Sequence, residues 1–169
     1  TVSPTLGAQS LQYSMIAGAM GLGCVCIYMI GYYKLPGLTA SVALVIYTVV
    51  CLASMNIPGL EFVLTLPGIA GFILSIGMAV DANVIIFARI REEIATGKTV
   101  KSAIQIGFKK ALSAIIDGNV TTLIAAVVLY FMGTGTVKGF AQTLALGIVV
   151  SLFTALVVTK LILNAFYAM

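Results

Sequence analysis

Apolar residues fall in five long blocks along this chain, separated by short connections that hold most of its polar and turn-forming residues. An α-helix needs about 20 apolar residues to cross the hydrocarbon core of a bilayer. The blocks run from about Leu11 to Tyr33, Leu38 to Met55, Phe62 to Ala88, Ala111 to Met132 and Phe140 to Leu163. The second is somewhat short. The pattern predicts an all-α membrane protein with five transmembrane helices over residues 11–169. Residues 1–10 are polar and Gly/Pro-containing, and are expected to be the end of a segment outside the membrane.

The connections sharpen this picture. Tyr32-Tyr33-Lys34-Leu35-Pro36-Gly37 predicts a tight turn with an aromatic belt and one cation. Pro58-Gly59 is expected to break the chain before the third span, and Gly133 to Gly139 to form a short hairpin. The longest connection, residues 89–110, holds eight charges. Within it Thr99 is placed to cap a helix on which Val100, Ala103, Ile104, Gly107 and Phe108 recur at helical spacing. A cytoplasmic amphipathic helix lying on lipid headgroups is the expectation there, with a docking surface as the alternative.

Composition agrees: 61% of residues are hydrophobic and only 8% charged, and the mean hydropathy is +1.17. A soluble domain is about 25% charged. The net charge of +4 does not point to nucleic acid, because the cations flank apolar blocks instead of forming a stripe. They read as topology signals. With alternating sides, Lys34, Arg89, Arg91, Lys98, Lys101, Lys109 and Lys110 share one side, Lys160 can snorkel to it, and only Lys138 lies opposite. The positive-inside rule makes that side cytoplasmic, with Thr1 outside and Met169 inside. A chain that starts outside with no signal peptide implies an earlier span upstream. Cys24, Cys26 and Cys51 lie in apolar blocks without metal-site spacing and read as packing residues; His and Trp are absent. There is no Walker loop, no Gly-x-Gly-x-x-Gly and no nucleophile beside a base, so neither nucleotide hydrolysis nor other enzymatic activity is expected.

Asp81 is the most informative residue. It sits within the third apolar block, where a carboxylate costs about 2.5–3.5 kcal/mol on insertion scales. Such a group is kept where it faces protein or water and works there, which makes an ion or proton relay the default reading. Val80-Asp81-Ala82-Asn83-Val84 is echoed by Ile116-Asp117-Gly118-Asn119-Val120 in the next block. Both carboxylates fall roughly 9–12 Å inside the cytoplasmic boundary. Burial would raise the pKa of such a carboxyl, allowing it to load a proton on one side and release it on the other. Asp117 is the second relay candidate, with a fold-locking hydrogen bond as its other role. Asn83, Asn119, Thr121 and Thr122 are candidate supporting polar groups. Gly71, Ser75, Ala79 and Asn83, spaced by four, form a small-residue stripe suited to close helix packing, with Gly77 as a further packing candidate.

Several blocks together resemble the SecD family of bacterial protein-export membrane proteins, in the RND superfamily. They are Ser3-Pro4-Thr5-Leu6-Gly7, Tyr32 to Gly37, Leu64 to Gly71, Ile76-Gly77-Met78-Ala79-Val80-Asp81-Ala82-Asn83-Val84 with Phe87 to Glu93, Asn119 to Ile124, and Gly133 to Ala141. The resemblance implies spans two to six of an RND-like six-helix bundle, with the first span and a large periplasmic domain upstream. It implies a homologous SecF-like partner, work beside the Sec channel of SecY, SecE and SecG, and contact with preprotein through the periplasmic domain. No cofactor is implied; the coupling ion would be the proton, or sodium as in some marine members. Asp81 matches the family's membrane carboxylate implicated in proton transport, and Asp117 matches an acidic position of the next span. Two positions depart from the family's usual pattern: Gly118 replaces an alanine, and Ala88-Arg89 stands where Glu-Arg is frequent. The competing expectation is a small-molecule or lipid exporter on the same scaffold.

Overall fold

The structure, a computed structural model, describes the backbone of residues 4–56 and 65–168 and the side chains of 7–56 and 65–165. The expected Pro58-Gly59 break and the start of the third span at Phe62 lie outside the described residues. Within them the chain is helical apart from short connections, with no strand. The helices are α1 (Pro4–Tyr33), α2 (Leu35–Met55), α3 (Leu66–Ala95), α4 (Val100–Met132), α5 (Thr136–Phe153) and α6 (Thr159–Ala168). A π-helical turn, Thr154–Val158, joins α5 to α6, and together these three form the fifth span. Among the described residues, five rods are long and apolar enough to cross a membrane. Helix α1 begins at Pro4, so part of the polar N-terminal stretch is already helical.

Helix α3 is the centre of the group. It packs most extensively on α5, then on α4, and touches both α1 and α2. Small residues make this closeness feasible. Between lipid-soluble helices there is little hydrophobic drive, so association depends on backbones approaching closely enough for dispersion and hydrogen bonding. Gly71, Ser75, Ala79 and Asn83 are all buried and form the inward edge of α3. A Cβ at Gly71 would stand 2.7 Å from Thr143 Oγ1 and 3.1 Å from the Phe140 carbonyl oxygen on α5. Thr143 Oγ1 in turn donates across to the Gly68 carbonyl at 2.9 Å. One turn on, a Cβ at Gly147 would overlap Ser75. Ser75 Oγ accepts a 2.7 Å hydrogen bond from the Tyr47 hydroxyl of α2 and donates to the Phe72 carbonyl at 2.7 Å. Three helices therefore meet at one satisfied polar node in the apolar interior.

Gly77 corrects the sequence expectation. It is exposed, and nothing stands within 4 Å of where its Cβ would be. The reason is angular: it lies two residues from both Ser75 and Ala79, about 200° around the helix from the packed stripe.

The charged connection also differs from expectation. Helix α3 runs on past Ala88 to Ala95, and α4 starts at Val100 and continues unbroken into the fourth span. Only Thr96 to Thr99 turns, with Gly97 at φ +86°, where a side chain would be strained. Thr99 Oγ1 caps α4 by accepting from the Ser102 amide at 3.4 Å. The apolar face of residues 100–110 covers protein: Ala103, Ile104 and Phe108 are buried in one cluster with Ile86, Phe87 and Ile90 of α3. A Cβ on Gly107 would come within 2.9 Å of Ile90 Cα, so the two helices touch backbone to backbone there. The sequence showed the amphipathic pattern; it could not show that a helical extension of α3 supplies the matching face.

Glu93 fastens the tip of this hairpin. Its carboxylate is buried and is shared by the ammonium groups of Lys110 and Lys98. Hydrogen bonds from Lys110 and Lys98 hold its pKa below the ordinary value of 4.5. A lowered folded-state pKa gives stability that is fully present above the unfolded value and lost as pH falls through the folded one. Amide hydrogen exchange at the tip is therefore expected to be slow and steady, after correction for intrinsic rates, down to about pH 5, and to accelerate below pH 4.5. In Glu93→Gln the tip should be less protected at neutral pH, and the extra acceleration below pH 4.5 should be absent.

Candidate functional site: a carboxylate crevice between two spans

The stripe that packs α3 onto α5 dictates where Asp81 goes. Asp81 is two residues from Ala79 and two from Asn83, so burying those turns Asp81 to the opposite side. Its side chain is exposed on the outer flank of the helix group. The sequence expectation is a carboxylate facing protein or water, and the described helices leave Asp81 uncovered.

Asp81 is not on bare surface, however. It lines a crevice of about 180 Å³ between α3 and α4. Met78, Ala82 and Ile85 flank it on α3, and Ala114, Ile115, Gly118, Asn119 and Thr122 form the α4 wall. The antiparallel hairpin thus brings the Asp81 motif level with Gly118-Asn119. The Asn119 amide nitrogen donates to the Ile115 carbonyl at 2.7 Å, leaving its oxygen as an acceptor. Thr122 Oγ1 donates to the Gly118 carbonyl at 3.0 Å and retains acceptor capacity. A carboxyl beside such oxygens can form a hydrogen bond when protonated, and a small hydrated cation has ligands there when it is ionised.

The other candidates divide. Asp117 is exposed and does not line the crevice; its Oδ2 accepts a long, 3.4 Å hydrogen bond from Ser113 Oγ on its own helix. Thr121 is also exposed outside the crevice, and its hydroxyl donates to the Gly118 carbonyl at 2.8 Å. Asn83 does not reach Asp81. It is buried on the inner side, where its Oδ1 accepts a 2.9 Å hydrogen bond from Thr159 Oγ1 in the fifth span. The two halves of the echo therefore do different work: Asp81 and Asn119 share a crevice, while Asn83 joins α3 to α6.

Thr159 is a residue that sequence reasoning missed. It follows the π-helical turn and is also 3.3 Å from the Thr154 carbonyl. The Thr154 hydroxyl is buried without a partner. A π turn widens the helix by one residue, and such turns concentrate at working positions. Two threonines five apart in an apolar block give no signal that a pattern search could use. Thr159→Val removes the donor to Asn83 and is expected to destabilise the folded domain by about 0.5–2 kcal/mol, the range for interhelical hydrogen bonds in membranes. Unfolding in mixed micelles with increasing dodecyl sulfate measures this.

Comparison with known proteins places this geometry. Residues 1–168 match the family described as "Protein export membrane protein SecD/SecF, C-terminal". A protein translocase subunit SecD from Acidaminococcus fermentans is 57% identical over 98% of the chain, and one from Synechocystis is 54% identical over 96%. The chain spans 39% and 34% of those relatives' lengths. The crystal structure of SecDF, a translocon-associated membrane protein from Thermus thermophilus, superposes with a TM-score of 0.95 at 38% identity; the match covers 99% of this chain and 23% of that one. The helix group built round α3 thus matches part of a known membrane architecture: the chain belongs to the SecD/SecF family of protein export membrane proteins.

Proposed function

We propose that this chain is the ion-coupling membrane part of a Sec protein-export subunit, and that Asp81 is its ion carrier. The observation that carries the reading is the position of Asp81: on the outward flank of α3, in a crevice whose other wall supplies Asn119 and Thr122. An ionised carboxylate facing hydrocarbon costs about 2.5–3.5 kcal/mol, so this flank requires cover by protein or access for water. A homologous SecF-like subunit supplies that cover. The crevice is then a polar seam at the subunit boundary, where a proton, or sodium, reaches Asp81 in turn from each side.

Loading and release change the charge at the seam, and with it the preferred packing of the two halves. A periplasmic domain attached ahead of α1 moves with them and draws preprotein outward from the Sec channel. The end bearing Lys34 and Arg91 is cytoplasmic in this reading, by the positive-inside rule. Relatives that are protein translocase subunits favour export of polypeptide over export of small molecules or lipids. Asp117 carries no step in this scheme, and no cofactor takes part.

The test is proton flux and gradient-driven export in vesicles that contain the intact subunit, its partner and the channel, comparing wild type with Asp81→Asn.

A further inference from the structure

A second cavity, of about 330 Å³, opens at the end of the bundle where the α1–α2 turn meets the α3–α4 hairpin. Its floor is apolar: Phe87, Ile90, Ile104 and Leu163 are all buried. Its rim carries Lys34 and Arg91, both exposed, with Tyr32 and Tyr33 beside them. Among the described residues, no acidic side chain lines it. The nearby carboxylates are committed elsewhere, Glu92 to Arg89 and Glu93 to Lys98 and Lys110. Among the described residues, too, neither Lys34 nor Arg91 has an ion pair; Arg91 only lies over the Tyr32 ring, 5.7 Å from its centre. Ile94 and Val100 at the mouth remain 42% and 40% exposed, an apolar surface that water covers poorly.

We propose that this cavity holds an anionic phospholipid, with its phosphate between Lys34 and Arg91 and the first part of an acyl chain against Phe87, Ile90 and Ile104. Two unpaired cations above an apolar trough, at the end of the membrane spans, match a group whose head is anionic and whose tail is hydrocarbon. A choline headgroup fits less well, because it would bring a third positive charge to a rim that already holds two. The inference does not depend on the role of Asp81.

Native mass spectrometry of the intact protein, released from micelles containing equal phosphatidylglycerol and phosphatidylcholine of matched chains, tests it. Wild type is expected to retain phosphatidylglycerol preferentially. Lys34→Gln with Arg91→Gln should lower that preference by about fivefold per cation. Lys101→Gln with Lys109→Gln removes the same charge from exposed sites outside the cavity and should leave the preference in place. Equal retention of the two lipids by wild type overturns the proposal. So does an equal loss in the Lys101/Lys109 control, which would mean diffuse surface charge. Displacement of phosphatidylglycerol by millimolar inorganic phosphate also overturns it, by showing a site for a free anion.

Discussion

Vesicles carrying Asp81→Asn are expected to lose gradient-driven export entirely, falling to the rate measured with the gradient collapsed. Asparagine keeps the size of aspartate and can still hydrogen-bond to Asn119 or Thr122, but it cannot be ionised or carry a proton at any accessible pH. Because Asp81 is exposed on the flank of α3 and takes no part in the packed stripe, the fold should survive, and assembly with the partner should persist. Asp117→Asn is the internal control. That carboxylate stands outside the crevice and holds only a long bond to Ser113, so export should continue. Wild-type export by Asp81→Asn would remove the proposed carrier; loss in both variants would show that acidity at this depth matters and the crevice does not.

The second large effect concerns the fold. Gly147→Val is expected to destabilise the helix group more than Thr159→Val does. Its Cβ would collide with Ser75 and stand 3.0 Å from the Tyr47 hydroxyl, and neither neighbour can swing away without breaking the buried Tyr47–Ser75 hydrogen bond. Overpacking a well-filled interior costs about 1–3 kcal/mol, and a branched side chain at a helix contact belongs at the upper end or beyond. The smaller Gly147→Ala allows a cleaner test. Combined with Ser75→Gly, which removes the opposing Cβ, it should cost clearly less than the sum of the two single changes. Unfolding in mixed micelles measures the cycle; strict additivity would show that α3 and α5 do not meet at this point.

What the sequence reveals and what it hides follow from range. The spans are legible because solvation by lipid acts on each block separately, and about 20 apolar residues in a row suffice. The stripe from Gly71 to Asn83 is legible because helical periodicity puts those four residues on one edge. Gly77 misleads because a glycine in a membrane helix suggests close packing whichever way it faces. The extension of α3 to Ala95 is hidden by its own charges, since Arg89 to Glu93 looks like a loop until α4 is seen alongside. Contacts across long separations leave no local trace at all: nothing in the neighbourhoods of Tyr47, Ser75 and Gly147 announces that they meet. The same holds for Asn83 and Thr159.

The join at Gly107 and Ile90 has a mechanical consequence. Two uninterrupted helices that touch backbone to backbone and are clamped at their tip by Glu93 bend very little between those points. Asp81 lies fourteen residues from Ala95, about 21 Å along the axis. The hairpin is therefore a lever arm. A tilt of α3 by about 10° at Asp81 would carry the Ala95 end about 4 Å sideways.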